Sequence, residues 1–180
     1  MYSLAQTLLE KNQMFTGKLA IIDLDEARVE IDPISQATLR DYLGGRGLNM
    51  KLLFPSLSRP GDPFDPRSPI VFSHGLMCGI PSLGSRMSIS ARSPETGFLG
   101  DANMGGELGA ELKASGISSP FITGRSSRPV YIWVHDQTVE IRDASKLWGR
   151  DPIQTQQDIR KELADGEIKV GCIGLAGENR

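Results

Sequence analysis

The stretch Lys18-Leu19-Ala20-Ile21-Ile22-Asp23-Leu24-Asp25-Glu26-Ala27-Arg28-Val29-Glu30-Ile31 decides the fold class. Ala20, Ile22 and Leu24 alternate with Ile21 and Asp23 at the two-residue period of a strand. Asp25 to Arg28 has turn chemistry, and Val29-Glu30-Ile31 returns as a second strand, so the stretch is predicted to be a β-hairpin. Val130 to Val134 and Thr138 to Arg142 predict a second hairpin around His135-Asp136-Gln137. A shift of 110 positions places Ile22 on Ile132, Leu24 on Val134 and Val29-Glu30-Ile31 on Val139-Glu140-Ile141. Shared strand periodicity alone can produce such a match; as a true repeat it predicts a duplicated α+β domain, because a solenoid needs at least three units.

Around these hairpins the pattern is mixed. Ser35 to Tyr42 is predicted to be a short helix stopped by Gly44-Gly45. Residues 55–69 hold Pro55, Pro60, Pro63, Pro66 and Pro69 and predict an irregular connector. Ile70 to Phe72 is expected as a short buried strand. Arg86 to Arg92 is expected as a strand with Met87, Ile89 and Ala91 on one face and Arg86, Ser88, Ser90 and Arg92 on an exposed one. Residues 106–115 predict a helix that begins near Asn103 or Met104 and stops at Gly116, and Gln154 to Leu163 a second, amphipathic one. Ile168 to Ile173 is expected as a buried strand leading into a glycine-rich loop at Gly174–Asn179. The expected architecture is α+β, a sheet-rich base with antiparallel hairpins and a two-fold internal repeat. Residues 1–16 form a leader and 17–180 one domain, expected to continue past Arg180.

Composition narrows the function. A chain of 180 residues with 39% hydrophobic and 23% charged content is of ordinary globular type. The net charge of −2 provides no field that would favour nucleic acid or an anionic membrane. No apolar run approaches the length of a membrane span, and residues 1–14 are too polar for a signal-peptide core, so the cytoplasm is the expected compartment. Two isolated cysteines, Cys78 and Cys172, make neither a disulfide framework nor the usual four ligands of an iron–sulfur cluster.

Three glycine-rich stretches are candidates for chemistry. In Asn103-Met104-Gly105-Gly106, ahead of Glu107 to Lys113, a glycine pair at a helix start lets backbone N–H groups approach an anion such as phosphate; a tight turn with close helix packing at Gly109, Ala110 and Ala114 explains the same residues. In Gly84-Ser85-Arg86 the guanidinium has the fork that grips phosphate, although an exposed sheet face would look alike. In Leu43-Gly44-Gly45-Arg46-Gly47-Leu48-Asn49 three glycines around an arginine could cradle an anion, but the stretch reads first as a helix-ending turn. Gly171, Gly174 and Gly177 approximate a dinucleotide fingerprint with the wrong spacing. His74 and Cys78 lack further partners for a metal site, and no catalytic carboxylate pair stands out.

Taken in order, these stretches resemble the N-terminal domain of the aldehyde ferredoxin oxidoreductases. The resemblance runs from about Gly17 to Asn179 and rests on the hairpin, Leu43–Leu48, Gly84-Ser85-Arg86, Ser93-Pro94 with Thr96-Gly97-Phe98, Ala102–Gly106, Gly109–Lys113, Trp148-Gly149 and Gly174–Asn179. It implies a longer enzyme in which two pterin dithiolenes hold tungsten or molybdenum, with a magnesium ion bridging their phosphates. It implies oxidation of an aldehyde to a carboxylic acid, electrons leaving through a 4Fe–4S cluster, bound by a part of the enzyme absent here, to ferredoxin. A homodimer is among the implied assemblies. By the same resemblance Arg86 contacts pterin, the Asn103 carbonyl binds magnesium, and Gly105 and Gly106 line the site. The family often reads Gly-Pro-Leu-Thr-Gly-Thr where this chain has His74-Gly75-Leu76-Met77-Cys78-Gly79, which leaves the substrate class open. A related pterin-dependent reduction of an aromatic acyl thioester, a cofactor-free scaffold domain and a nucleotide-binding enzyme are the rival readings.

Overall fold

The computed structural model describes residues 16–80 and 84–179; all but Thr16 of the leader lies outside them. The first hairpin forms as the alternation predicts, from β1 (Lys18–Asp23) and β2 (Arg28–Pro33), paired antiparallel with Ile22 opposite Val29. The Asp23 carboxylate closes its turn by accepting the Asp25 and Glu26 N–H groups. Helix α1 (Gln36–Tyr42) starts where the Ser35 hydroxyl accepts the Thr38 N–H. It ends at Leu43, which takes the left-handed conformation ahead of the glycine pair.

Helix α2 (Gly45–Leu57) was not foreseen, and it corrects the predicted connector, because Pro55 lies in its last turn. A proline there removes only one helical hydrogen bond. The loose carbonyls at this end are recovered: the Ser58 hydroxyl donates to Phe54 O at 2.7 Å, and the Arg92 guanidinium donates to Ser56 O at 2.6 Å.

The remaining strands are β3 (Ile70–His74), β4 (Met87–Arg92), β5 (Leu99–Met104) and, after helix α3 (Leu108–Ala114), β6 (Ile117–Thr123). They join the first hairpin in one six-stranded sheet of order β2-β1-β6-β3-β4-β5. The sheet is antiparallel except where β1 runs parallel to β6, so the architecture is mixed α/β rather than hairpins alone. One face carries Ala20, Ile22, Met87 and Ile117 under Leu112 of α3. The opposite face of β3 and β4 lies beneath Leu48, Asn49 and Leu53 of α2.

This second face overturns an expectation. Ser88 and Ser90 were placed on an exposed sheet face, yet they are buried. The reason is α2, which the sequence reading did not contain. Serine is tolerated there because Asn49, fully buried, shares its amide N–H groups among Val71 O, Ser88 O and the Ser90 hydroxyl, the last at 2.9 Å. Its carbonyl accepts from the Ser73 hydroxyl at 2.6 Å. A buried polar cluster of this kind stays stable only when its members are paired.

The second hairpin, β7 (Val130–His135) and β8 (Thr138–Asp143), is a separate two-stranded sheet that packs Ile132, Val134, Val139 and Ile141 on the same core as β1. The expected two-fold repeat is not confirmed. In the first hairpin Ile22 faces Val29; in the second, Ile132 faces Ile141 and Val134 faces Val139. The second ladder is therefore slipped by two residues against the match in sequence. A two-residue slip keeps every side chain on its face, which is why the sequences superpose while the registers do not. A tight turn at Asp136-Gln137, both with positive φ, produces the difference. Helix α4 (Pro152–Glu162), capped by Asp151, closes a satellite core of Ala144, Leu147 and Ile159.

The buried strand expected at Ile168–Ile173 does not form. Residues 168–170 run as an irregular, half-buried segment, and 171–173 are exposed. A short helix, α5 (Gly174–Glu178), replaces the expected loop. Apolar residues alone do not make a strand without a partner ladder, and here Arg160 and Lys169 anchor the segment instead, to Ile168 O and to Glu107. The strand–turn–helix context of a dinucleotide site at Gly171–Gly177 is thus missing.

Candidate cofactor seat

The four residues singled out from the sequence meet at one corner of the sheet. Strands β4 and β5 pair Ser90 with Asp101, Ser88 with Asn103 and Met87 with Met104. Just before β4, the Ser85 hydroxyl donates to the Gly106 carbonyl, which holds the segment carrying Arg86 against the Gly105-Gly106 link. Asn103 and Met104 end β5 rather than opening the helix, and Gly105-Gly106 is the link from β5 to α3. The correction has a simple cause: β5, with Gly100 and Asp101 in it, carries no strand alternation that a sequence reading would catch.

Arg86, Asn103, Gly105 and Gly106 are all exposed. A Cβ added at Gly75, Gly84, Gly105 or Gly106 would meet nothing within 4 Å, so bare backbone faces open space. Among the described residues no carboxylate pairs with Arg86. Across the ladder Asp101 and Asn103 share the face of Ser90 and Ser88, and Arg86 directly precedes this strand. The Ser88 hydroxyl reaches Asn103 Oδ1 only weakly, at 3.4 Å.

Close packing behind this corner fixes it. Gly109, on the first turn of α3, would place a Cβ 2.8 Å from Ser85 O and 3.3 Å from Cys78 Sγ. Only glycine lets α3 lie this close to the strand that carries Arg86. Lys113 reaches from the same helix to the carbonyls of Leu76 and Cys78, holding the 74–79 loop. Burial pushes the Lys113 ammonium below its usual value and the Cys78 thiol above it. His74 is not in a loop, as expected, but ends β3, buried. Burial holds it below its ordinary pKa, with the Lys113 charge adding to the effect and backbone contacts at Gly75 and Ile117 opposing it. Its Nε2 makes no hydrogen bond among the described residues; the Ile117 contact falls short of hydrogen-bond geometry. His135, at the turn of the second hairpin, is exposed as expected.

Two clefts lie away from the corner. One, of about 360 Å³, runs past Lys18, Gly44, His74, Lys113 and Gln137. The other, of about 620 Å³, lies beside Asp25, Arg125 and Arg142. The Arg86–Gly106 corner is instead an open platform, the shape suited to a ligand enclosed from its far side. No group of three or more His, Cys, Asp or Glu side chains able to hold a metal occurs among the described residues.

Comparison with known proteins adds to this geometry. The family described as aldehyde ferredoxin oxidoreductase, N-terminal domain, matches residues 19–180. The chain belongs to the aldehyde ferredoxin oxidoreductase family. The tungsten-containing aldehyde ferredoxin oxidoreductase of Pyrococcus abyssi is 34% identical over 92% of this chain and 28% of its own length. That of Thermococcus kodakarensis is 36% identical over 91% of the chain and 27% of its own. Among solved structures, the active site complex BamBC of benzoyl coenzyme A reductase, bound to 1,5-dienoyl-CoA, superposes with a TM-score of 0.86 at 37% identity. That match covers 91% of this chain and 25% of the other. The chain thus spans between a quarter and three tenths of the aldehyde ferredoxin oxidoreductase relatives it matches.

Proposed function

We propose that this chain is the cofactor-seating domain of a tungsten or molybdenum bis-pterin oxidoreductase. The observation that carries the reading is the convergence of an exposed, unpaired guanidinium at Arg86 with the bare backbone of Gly105-Gly106 and Gly84. Two phosphate groups need cations and N–H donors close at hand and no side chain in the way. The residues present fit that group. Arg86 holds a pterin phosphate, Gly105 and Gly106 admit it, and the Asn103 carbonyl supplies a hard oxygen to magnesium. When bound, the metal–pterin group carries the two-electron chemistry and passes electrons on through a 4Fe–4S cluster held elsewhere in the enzyme. The part played by this chain is to fix the position and neutralise the charge of that group.

The reaction that follows from the family is oxidation of an aldehyde to a carboxylic acid with ferredoxin as acceptor. The likeness to a benzoyl coenzyme A reductase favours a second reading, reduction of an aromatic acyl thioester. The two share the seat and differ in the substrate pocket. The His74–Gly79 loop departs from the family pattern near this seat, which keeps both in view. A cytoplasmic enzyme, with a homodimer as one candidate assembly, completes the proposal; no helix among the described residues is long and apolar enough to cross a membrane.

The test is elemental and pterin analysis of the full-length protein. Tungsten or molybdenum with about two pterins per metal is expected from the bis-pterin architecture. Arg86→Ala should lower bound pterin at least about tenfold, the scale of one charge-assisted contact. Full pterin content in that variant would remove Arg86 from the seat; a wild-type protein free of metal and pterin would reject the proposal.

A further inference from the structure

The Gly44-Gly45-Arg46-Gly47 stretch ends α1 and starts α2. Its arginine does more than cap a turn. Arg46 Nε donates to Asp101 Oδ2 at 2.7 Å. Asp101 is held from its other oxygen, Oδ1, by the Ser90 hydroxyl, also at 2.7 Å. Ser90 is fixed in turn by Asn49, one turn along the same helix. The carboxylate of Asp101 is only 10% exposed, whereas the Arg46 side chain is 63% exposed. A carboxylate free to use both oxygens commonly takes an arginine in a two-point fork. Here Ser90 occupies one oxygen, so Arg46 is gripped through Nε, and its terminal N–H groups make no further hydrogen bond among the described residues.

The position of this guanidinium matters. Asp101 lies two residues before Asn103 on β5, and Gly105 two residues after it. Asp101 and Asn103 pair with Ser90 and Ser88 on the α2 face of the β4–β5 ladder, and Arg86 directly precedes β4. At strand rise, Asp101 and Gly105 lie roughly 7 Å to either side of Asn103. Arg46 is therefore anchored at the Asp101 end of this stretch, and Arg86 is carried near its Gly106 end. Gly45, next to Arg46, would place a Cβ 3.8 Å from the Ser88 hydroxyl, opposite Asn103, so the start of α2 lies directly beside the β4–β5 ladder at this point.

We propose that Arg46 is a second phosphate-binding cation of the seat, held in place by Asp101. The inference rests on the cofactor reading given above. A group with two phosphates has two anionic ends, and an exposed arginine is carried near each end of the Asp101–Gly106 stretch that holds the proposed magnesium ligand. Asp101 acts on Arg46 as a positioning residue: it orients the guanidinium through Nε and leaves the terminal N–H groups available to phosphate.

The experiment uses the loaded full-length enzyme and follows release of magnesium and pterin during challenge with inorganic phosphate and a chelator. Arg46→Ala should release both at least about tenfold faster than the unmodified enzyme, as expected for loss of a charge-assisted contact. Arg46→Lys, which keeps the charge, should recover most of the retention. Melting of the cofactor-free protein should fall modestly in Arg46→Ala, which leaves the largely buried Asp101 carboxylate without its cation, and recover in Arg46→Lys. Release from Arg46→Ala at the unmodified rate, while Arg86→Ala releases quickly, overturns the role of Arg46 and leaves the seat standing. A lowered melting temperature in Arg46→Ala that lysine does not restore reduces the pair to a staple between α2 and β5. Absence of pterin from the unmodified enzyme overturns both readings together.

Discussion

Asn49 shows how one residue can set a functional surface without touching it. It is polar, yet completely buried, and it binds β3, β4 and α2 together through Val71, Ser73, Ser88 and Ser90. Replacement by alanine leaves several buried partners unpaired at once, each worth roughly 1–3 kcal/mol. Asn49→Ala is therefore expected to destabilise the domain by about 3 kcal/mol, measured by urea denaturation, with a loss below 1 kcal/mol arguing that water fills the gap. Nothing in the sequence distinguished Asn49 from a surface asparagine. Its partners are dispersed over 41 positions of sequence, and only the packing of a helix on a sheet brings them together. Arg86 was different: a glycine–serine turn before it, and a strand after it, made its exposure readable.

At the scale of elements, glycines decide which pieces can approach. Gly44 has φ +73 and would place a Cβ 2.5 Å from the carbonyl oxygen of His74. It thus carries a left-handed backbone and a close contact between the start of α2 and the end of β3. Gly44→Ala should cost about 2 kcal/mol or more, since strain and collision act together; an unchanged melting curve would show that α2 can shift without penalty. Ala27 is the converse case. It closes the first hairpin at φ 49, a conformation that costs an L-residue about 1 kcal/mol. Ala27→Gly is predicted to raise stability by about 0.5 kcal/mol once the added chain freedom is offset, and a fall would mean that its methyl group is used in packing. The hairpins, α1 and α4 were legible because each satisfies its own hydrogen bonds locally. Helix α2 was not: glycines in its first turn and a proline in its last hide a helix whose stability comes from Leu48, Asn49 and Leu53 against the sheet.

For the molecule as a whole, the clearest pH response comes from His74. Burial lowers its pKa in the folded state below the ordinary 6.5, so the unfolded chain takes up the proton first. Stability is then full above about pH 6.5 and declines as pH falls through the interval between the unfolded and folded values. The thermal midpoint is expected to drop between pH 7 and pH 5, and His74→Gln should flatten that part of the profile. A wild-type midpoint that is level over this range would place the imidazole in contact with solvent. The same residue ends β3 on the core side of the sheet, behind the loop whose sequence departs from the family, so acid loosening would begin near the cofactor seat.

Local patterning by itself determined the two hairpins, the helix at 36–42, the stop at Gly116, the amphipathic helix after Asp151 and the family to which the chain belongs. Each depends on residues close together in sequence, or on motifs whose order survives without a fold. The assignment of hairpins to different sheets, the slipped second register, the buried serine face and the meeting of Arg46, Asp101 and Ser90 were decided only in three dimensions. Strand alternation is blind to a two-residue slip and to which face a distant helix will cover. Those choices belong to non-local packing, where burial of α2 against β3 and β4 outweighs the poor helix propensity of its own glycines.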